Sequence, residues 1–181
     1  MKIIAIDPGS IITGYAVVTE TGRLLDAGLI KPKNRDDPPN IRIGEIVNAV
    51  HALLIEHEPD IIVLEWTTGK VNKGRHKGGG RGLAIYGIAV GAIWITMELW
   101  HKDNHGDIVL IDEGWTKGVK KKKRLEDLEL TCSAYNREDD KSGDMGDAIC
   151  LGEYYLKRLY AERVSYFGRV VDTSKLWKGL L

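Results

Sequence analysis

Short apolar runs recur along this chain, and three of them end in a charge or a tight turn. Ile3-Ile4-Ala5-Ile6 runs into Asp7-Pro8-Gly9, which predicts a buried strand closed by a carboxylate. Thr13 to Thr19 and Arg23 to Ile30 predict two more strands, joined through Thr21-Gly22. Connections this short predict an antiparallel meander. Lys31 to Pro39 holds Pro32, Pro38 and Pro39 and reads as a loop. Asn40 is a helix cap candidate, with Ile43, Ile46, Val47, Val50, Leu53 and Leu54 following at helical spacing until Pro59. Asp60 to Glu65 is a second buried run ending in a carboxylate. Leu83 to about His101 predicts an apolar helix, and Asp107 to Ile111 a fifth strand. Leu125 to about Tyr135 predicts a short helix, and Asp144 to about Tyr160 the last helix of the core. Three strands followed by alternating helices and strands predict an α/β fold, a mixed five-stranded sheet flanked by helices. One domain is expected over residues 1–160, with 161–181, including Trp177, as a C-terminal extension.

Composition narrows the class. The chain has 181 residues, enough for one sizeable core, with 43% hydrophobic and 29% charged residues. Its 26 basic and 26 acidic residues cancel, so any polyanion must be met by local patches. Cys132 and Cys150 lack paired metal-ligand spacing and read as two small buried or partly buried thiols. The longest uncharged run, Leu83 to Met97, is shorter than the roughly 20 residues a spanning helix needs. A buried core helix, no membrane and a cytoplasmic location are therefore expected.

The charges are segregated along the chain. Between Trp66 and Gly82 lie six glycines with Lys70, Lys73, Arg75, Lys77 and Arg81 and no acid. Lys117 to Arg124 holds Lys117, Lys120, Lys121, Lys122, Lys123 and Arg124. Lys and Arg on such stretches can follow a nucleic-acid backbone without reading bases, although an isolated lysine run is more often a solvated face.

The acidic residues fall in a different pattern. Asp7 and Glu65 each end an apolar run, and parallel central strands would set both at the sheet edge where α/β ligand sites lie. Asp144 and Asp147, three apart, would share one face at a helix start. Four converging carboxylates repel one another unless cations neutralise them, and all-oxygen ligands suit Mg²⁺ or Mn²⁺. Each feature also has a plain reading. Asp-Pro-Gly opens turns, and acids favour helix N-termini.

Taken together, Ile4-Ala5-Ile6-Asp7-Pro8-Gly9-Ser10 with Thr13-Gly14-Tyr15, Ile62-Val63-Leu64-Glu65, and Asp144-Met145-Gly146-Asp147-Ala148 resemble the three ordered motifs of RuvC-type Holliday-junction resolvases. That resemblance covers roughly residues 1–160. It implies a ribonuclease H-like fold and a homodimeric endodeoxyribonuclease that nicks four-way DNA junctions symmetrically. It also implies two Mg²⁺ ions (Mn²⁺ as an alternative) held by Asp7, Glu65, Asp144 and Asp147. The family's dimer helix would be Leu83 to about His101, where Gly87 and Gly91 permit close packing against a second copy or within the monomer. The family usually carries a junction-wedging aromatic a few residues after the second acid, whereas here Trp66 follows Glu65 directly. Another ribonuclease H-like nuclease, a non-catalytic junction binder, or an actin-like nucleotide binder are the competing readings.

Overall fold

A computed structural model describes residues 1–66, 79–104, 106–116 and 118–166, with only the backbone of 79, 81 and 162–166. Five strands, β1 (Lys2–Asp7), β2 (Thr13–Thr19), β3 (Leu24–Ile30), β4 (Ile61–Trp66) and β5 (Asp107–Asp112), form one sheet in the order β3-β2-β1-β4-β5. β1 pairs antiparallel with β2 and parallel with β4, and β4 pairs parallel with β5. The C-terminal ends of β1, β4 and β5 therefore share one edge.

Ile3 to Ile6 are fully buried because β1 is central and covered on both faces. Alternation splits its side chains. Ile4 and Ile6 pack with Ile46, Val50 and Leu54 of α1 (Pro39–His57) and with Val90, Ile93 and Met97 of α2 (Gly79–Asn104). Ile3 and Ala5 pack with Leu151, Tyr155 and Leu156 of α4 (Asp144–Tyr166). α3 (Lys121–Thr131) lies beside α4 through Leu125 and Leu128. Asp7, in step with Ile3 and Ala5, belongs to the α4 face.

Four sequence expectations change. Pro38, rather than Asn40, precedes the first turn of α1, with no side-chain cap, since Pro39 at the first position has no N–H to satisfy. The short helix begins four residues earlier than its apolar period suggested, at Lys121, so lysines that read as a basic stretch form its first turn. Lysine is a good helix former, and Lys122–Glu126 and Lys123–Asp127 add supporting pairs four apart. α4 continues to Tyr166; residues 167–181, with Trp177, lie outside the described residues.

The fourth change concerns α2. By length and composition alone it suffices to cross a membrane, because the helix extends past the uncharged run. Nor is it a buried core helix. Ala89, Val90, Ile93, Met97 and Trp100 are buried, while Ile88, Ile95 and Leu99 are more than half exposed. Among the described residues nothing lies within 4 Å of where a side chain at Gly87 or Gly91 would begin, so their packing does not require either glycine.

One glycine does govern the site. A methyl group at Gly14 in β2 would collide with the backbone carbonyl of Asp144, so the absent side chain lets the start of α4 sit against the strand next to Asp7. Gly14→Ala is expected to lower stability by about 1–3 kcal/mol, as overpacking does. It should also weaken divalent-ion binding, read by urea unfolding and calorimetry; unchanged values in both would show that α4 does not depend on this approach.

Candidate active site

Asp7 is delivered by β1, and Asp144 and Asp147 by the first turn of α4. One carboxylate oxygen from each lies within 4.8 Å of the others. The turn leading into α4 is built around Asp140, which is almost fully buried. Its Oδ1 accepts the Gly143 amide at 2.9 Å, and its Oδ2 accepts the Gly146 amide at 2.9 Å and the Tyr135 hydroxyl at 3.0 Å. Asp140 thus satisfies free N–H groups at the helix start. Gly143 takes a left-handed φ of 77°, a conformation that disfavours any side chain. The helix start is thereby fixed in position, and both aspartates with it.

Glu65, the penultimate residue of β4, stands near this trio but is not among the three closest groups. Its Oε2 accepts the indole N–H of Trp115 at 2.8 Å. Trp115 lies in a 3-10 turn after β5, and the Arg124 guanidinium stacks on its ring, 5.2 Å from the centroid. Arg124 in turn donates to Asp147 Oδ1 at 2.6 Å. The stacked pair ties Glu65 to Asp147 across the sheet edge. Lys121 completes the arrangement, its Nζ lying 2.9 Å from both Asp144 Oδ1 and Asp147 Oδ2.

The electrostatics follow from crowding. Burial pushes the Asp7 carboxyl well above the usual carboxylate range, and the charges of Glu65, Asp147 and Asp144 push it further, against Lys121. Burial also raises Glu65, opposed by the Trp115 hydrogen bond and Arg124. For Lys121, burial pulls downward, but hydrogen bonds to both aspartates more than reverse it and the net shift is upward. Tyr86 of α2 borders the site; burial first, then Glu65 and Asp7, raises its phenol. Asp7 therefore lacks a full complement of positive charge, and an ammonium group already bridges two of its partners. A set of anionic oxygens with this character fits a divalent cation of the Mg²⁺ or Mn²⁺ type.

The structure places the other sequence candidates unevenly. Lys120 precedes α3, and Lys122 and Lys123 are exposed and face Glu126 and Asp127. Lys121 points inward. Lys70, Lys73, Arg75, Lys77 and Lys117, and the side chain of Arg81, lie outside the described residues. Trp66 is half-buried and meets Trp94 edge-on at 5.8 Å, so it serves core packing. Trp115 and Asp140 were not legible as site residues, because single residues in polar stretches carry no periodic signal, and Arg124 was legible only as part of a basic stretch, not as a partner of Asp147. Only the acid-rich run before Asp144 hinted at a cap.

Residues 3–85 match the family model described as "Crossover junction endodeoxyribonuclease RuvC". The RuvC of Paraburkholderia phymatum is 28% identical over 155 residues, spanning 83% of this chain and 82% of that protein. The RuvC of Paraburkholderia xenovorans is 34% identical over 98 residues, a stretch that covers 51% of this chain and about half (53%) of that protein. Over residues 3–85, then, this chain is similar to RuvC. Among solved structures, Thermus thermophilus RuvC in complex with a Holliday junction substrate superposes with a TM-score of 0.61 at 16% identity, covering 87% of this chain and 96% of that one. The yeast mitochondrial Holliday junction resolvase Ydc2 gives 0.58 at 11% identity, covering 91% and 83%. At those identities the likeness shows a shared fold, the ribonuclease H-like fold. The RuvC family model ends at residue 85, before Asp144, so the acidic start of α4 is placed by the fold rather than by that match.

The sign of the Asp7 shift gives a test. A carboxyl raised in the folded state contributes stability below its unfolded pKa of about 4. That contribution is lost as pH rises through the higher folded value. Metal-free protein should therefore lose stability from about pH 4 upward. Asp7→Asn should melt higher than the parent at pH 7.5 without metal, by about 2–4 °C for each kcal/mol relieved. It should also show a smaller Mg²⁺-induced rise. Differential scanning calorimetry decides; a lower melting point for the variant in chelator would contradict the reading.

Proposed function

We propose that this RuvC relative is a metal-dependent, structure-selective endodeoxyribonuclease that resolves four-way DNA junctions by paired symmetric nicks in recombination and repair. The observation that carries the reading is the convergence of Asp7, Asp144 and Asp147 beside Glu65 on a RuvC-like fold. These four residues would hold two Mg²⁺ ions, with Mn²⁺ as an alternative. When bound, the ions activate water and stabilise the leaving oxygen.

The chain's own residues supply position and charge. Water attacks the phosphorus, the P–O3′ bond breaks, and the products carry a 5′-phosphate and a 3′-hydroxyl. Asp7, at the rigid end of β1, would hold the cations together with Glu65, Asp144 and Asp147. Arg124 and the Trp115 ring fix the orientation of Asp147 and Glu65. Lys121 supplies positive charge beside Asp144 and Asp147, where anionic phosphate arrives. Lys70, Lys73, Arg75, Lys77, Arg81, Lys117, Lys120, Lys122 and Lys123 are the candidate backbone contacts on the two basic stretches. An enzyme of this kind works on chromosomal or phage DNA in the cytoplasm, without a membrane.

A second copy is supported by the exposed apolar face of α2. Ile88, Ile95 and Leu99 project there, and Gly87 and Gly91 leave open space for close approach. Paired nicking requires two active sites, which a homodimer across α2 provides.

Purified protein should cut a four-way junction in Mg²⁺ or Mn²⁺ in preference to a flap, a linear duplex or an RNA–DNA hybrid. Asp7→Asn should bind the junction with near-parental affinity and cut it at least 100-fold more slowly. Full cleavage by that variant would remove Asp7 from the site, and preference for the hybrid would overturn the junction reading. Ile95→Glu should convert a dimer to a monomer in analytical ultracentrifugation and turn paired nicks into single ones; an intact dimer would place the interface elsewhere.

A further inference from the structure

Beside the carboxylates lies a cleft of about 340 Å³. It is lined by Asp7 and Asp144, by the turn over residues 8–12, and by Arg35. The cations on the α3 side are already engaged with Asp144 and Asp147. Arg35 differs, since it is exposed and no carboxylate pairs with it among the described residues.

The loop carrying Arg35 is held from both sides. Arg42 of α1 donates through Nη1 to the Arg35 carbonyl at 2.7 Å. Glu45 accepts the Lys33 amide at 2.7 Å. Asn34 accepts the Asp36 amide and donates to the Asp37 carboxylate, which keeps that acid turned to its neighbour. The 8–12 turn is equally tied, because the Thr13 hydroxyl bonds both the amide and the carbonyl of Gly9. A loop with a tied backbone thus carries Arg35 into the lining of a solvent-open cleft that Asp7 and Asp144 also line.

We infer that this cleft is a phosphate subsite, in which Arg35 grips the DNA backbone phosphate next to the one being cut. The inference rests on the nuclease reading of the same site. A strand laid over clustered carboxylates is repelled unless cations flank them. A planar guanidinium with five donors suits phosphate oxygens.

The test compares parent, Arg35→Gln and Lys102→Gln in chelator, where no strand is cut. Lys102 is exposed at the far end of α2, away from the carboxylate edge, and its substitution removes the same charge. Affinities for a four-way junction and for a linear duplex are measured over a range of salt. Arg35→Gln should weaken both and reduce the slope of log K against log salt by about 0.9 for each phosphate it no longer neutralises. Lys102→Gln should keep the parental slope. An unchanged slope in Arg35→Gln, or an equal fall in both variants, would overturn the subsite. Parental cleavage in Mg²⁺ is scored separately. If the parent leaves junctions uncut, the resolvase reading fails while the slope comparison still decides Arg35.

Discussion

Everything at the carboxylate edge depends on mutual repulsion held in check. Asp7 is buried among acids that raise it further, and no residue relieves it completely. Lys121 and Arg124 neutralise Asp144 and Asp147 but leave Asp7 short of positive charge. A protein that needed only stability would replace such a cluster with apolar side chains of similar volume. Strained electrostatics of this kind concentrate at functional sites, and here they would be relieved by a divalent cation.

The scaffold is stiff where the strain sits. β1 is buried on both faces, so Asp7 cannot relax by moving its strand. α4 is pinned by the buried Asp140 cap and by the close approach of Gly14 to its first residue. α3 brings two cations on its inward face and shows the remaining lysines to solvent. Lysines at a helix N-terminus oppose the helix dipole; the aspartates facing Lys121 and Arg124 offset that cost. α3 and α4 therefore stabilise each other through the same charges that shape the site.

The two ends of the sheet have different roles. The C-terminal edge of β1, β4 and β5 carries the clustered carboxylates, beside the cations of α3. The outer face of α2 carries exposed isoleucines and a leucine beside two glycines, a surface suited to another copy of the chain. On the proposed reading, cleavage and assembly would use separate surfaces.

The sequence by itself determined the elements and the three acidic motifs. Apolar runs and turn residues are local signals, so all five strands were legible to within a residue or two, and Asp7, Glu65, Asp144 and Asp147 stood out by ending runs or starting a helix. Helix limits were less legible where charge rather than apolar period set them, as at Lys121. Only the tertiary structure decided that Asp7, Asp144 and Asp147 meet while Glu65 stands slightly apart. It also decided that Lys121 turns inward and that Trp115 and Arg124 join two carboxylates. The reason is that convergence comes from strand order and long-range packing. Glu65 and Trp115 are 50 residues apart, and Lys121 and Asp144 are 23 apart. No local pattern records distances of that kind.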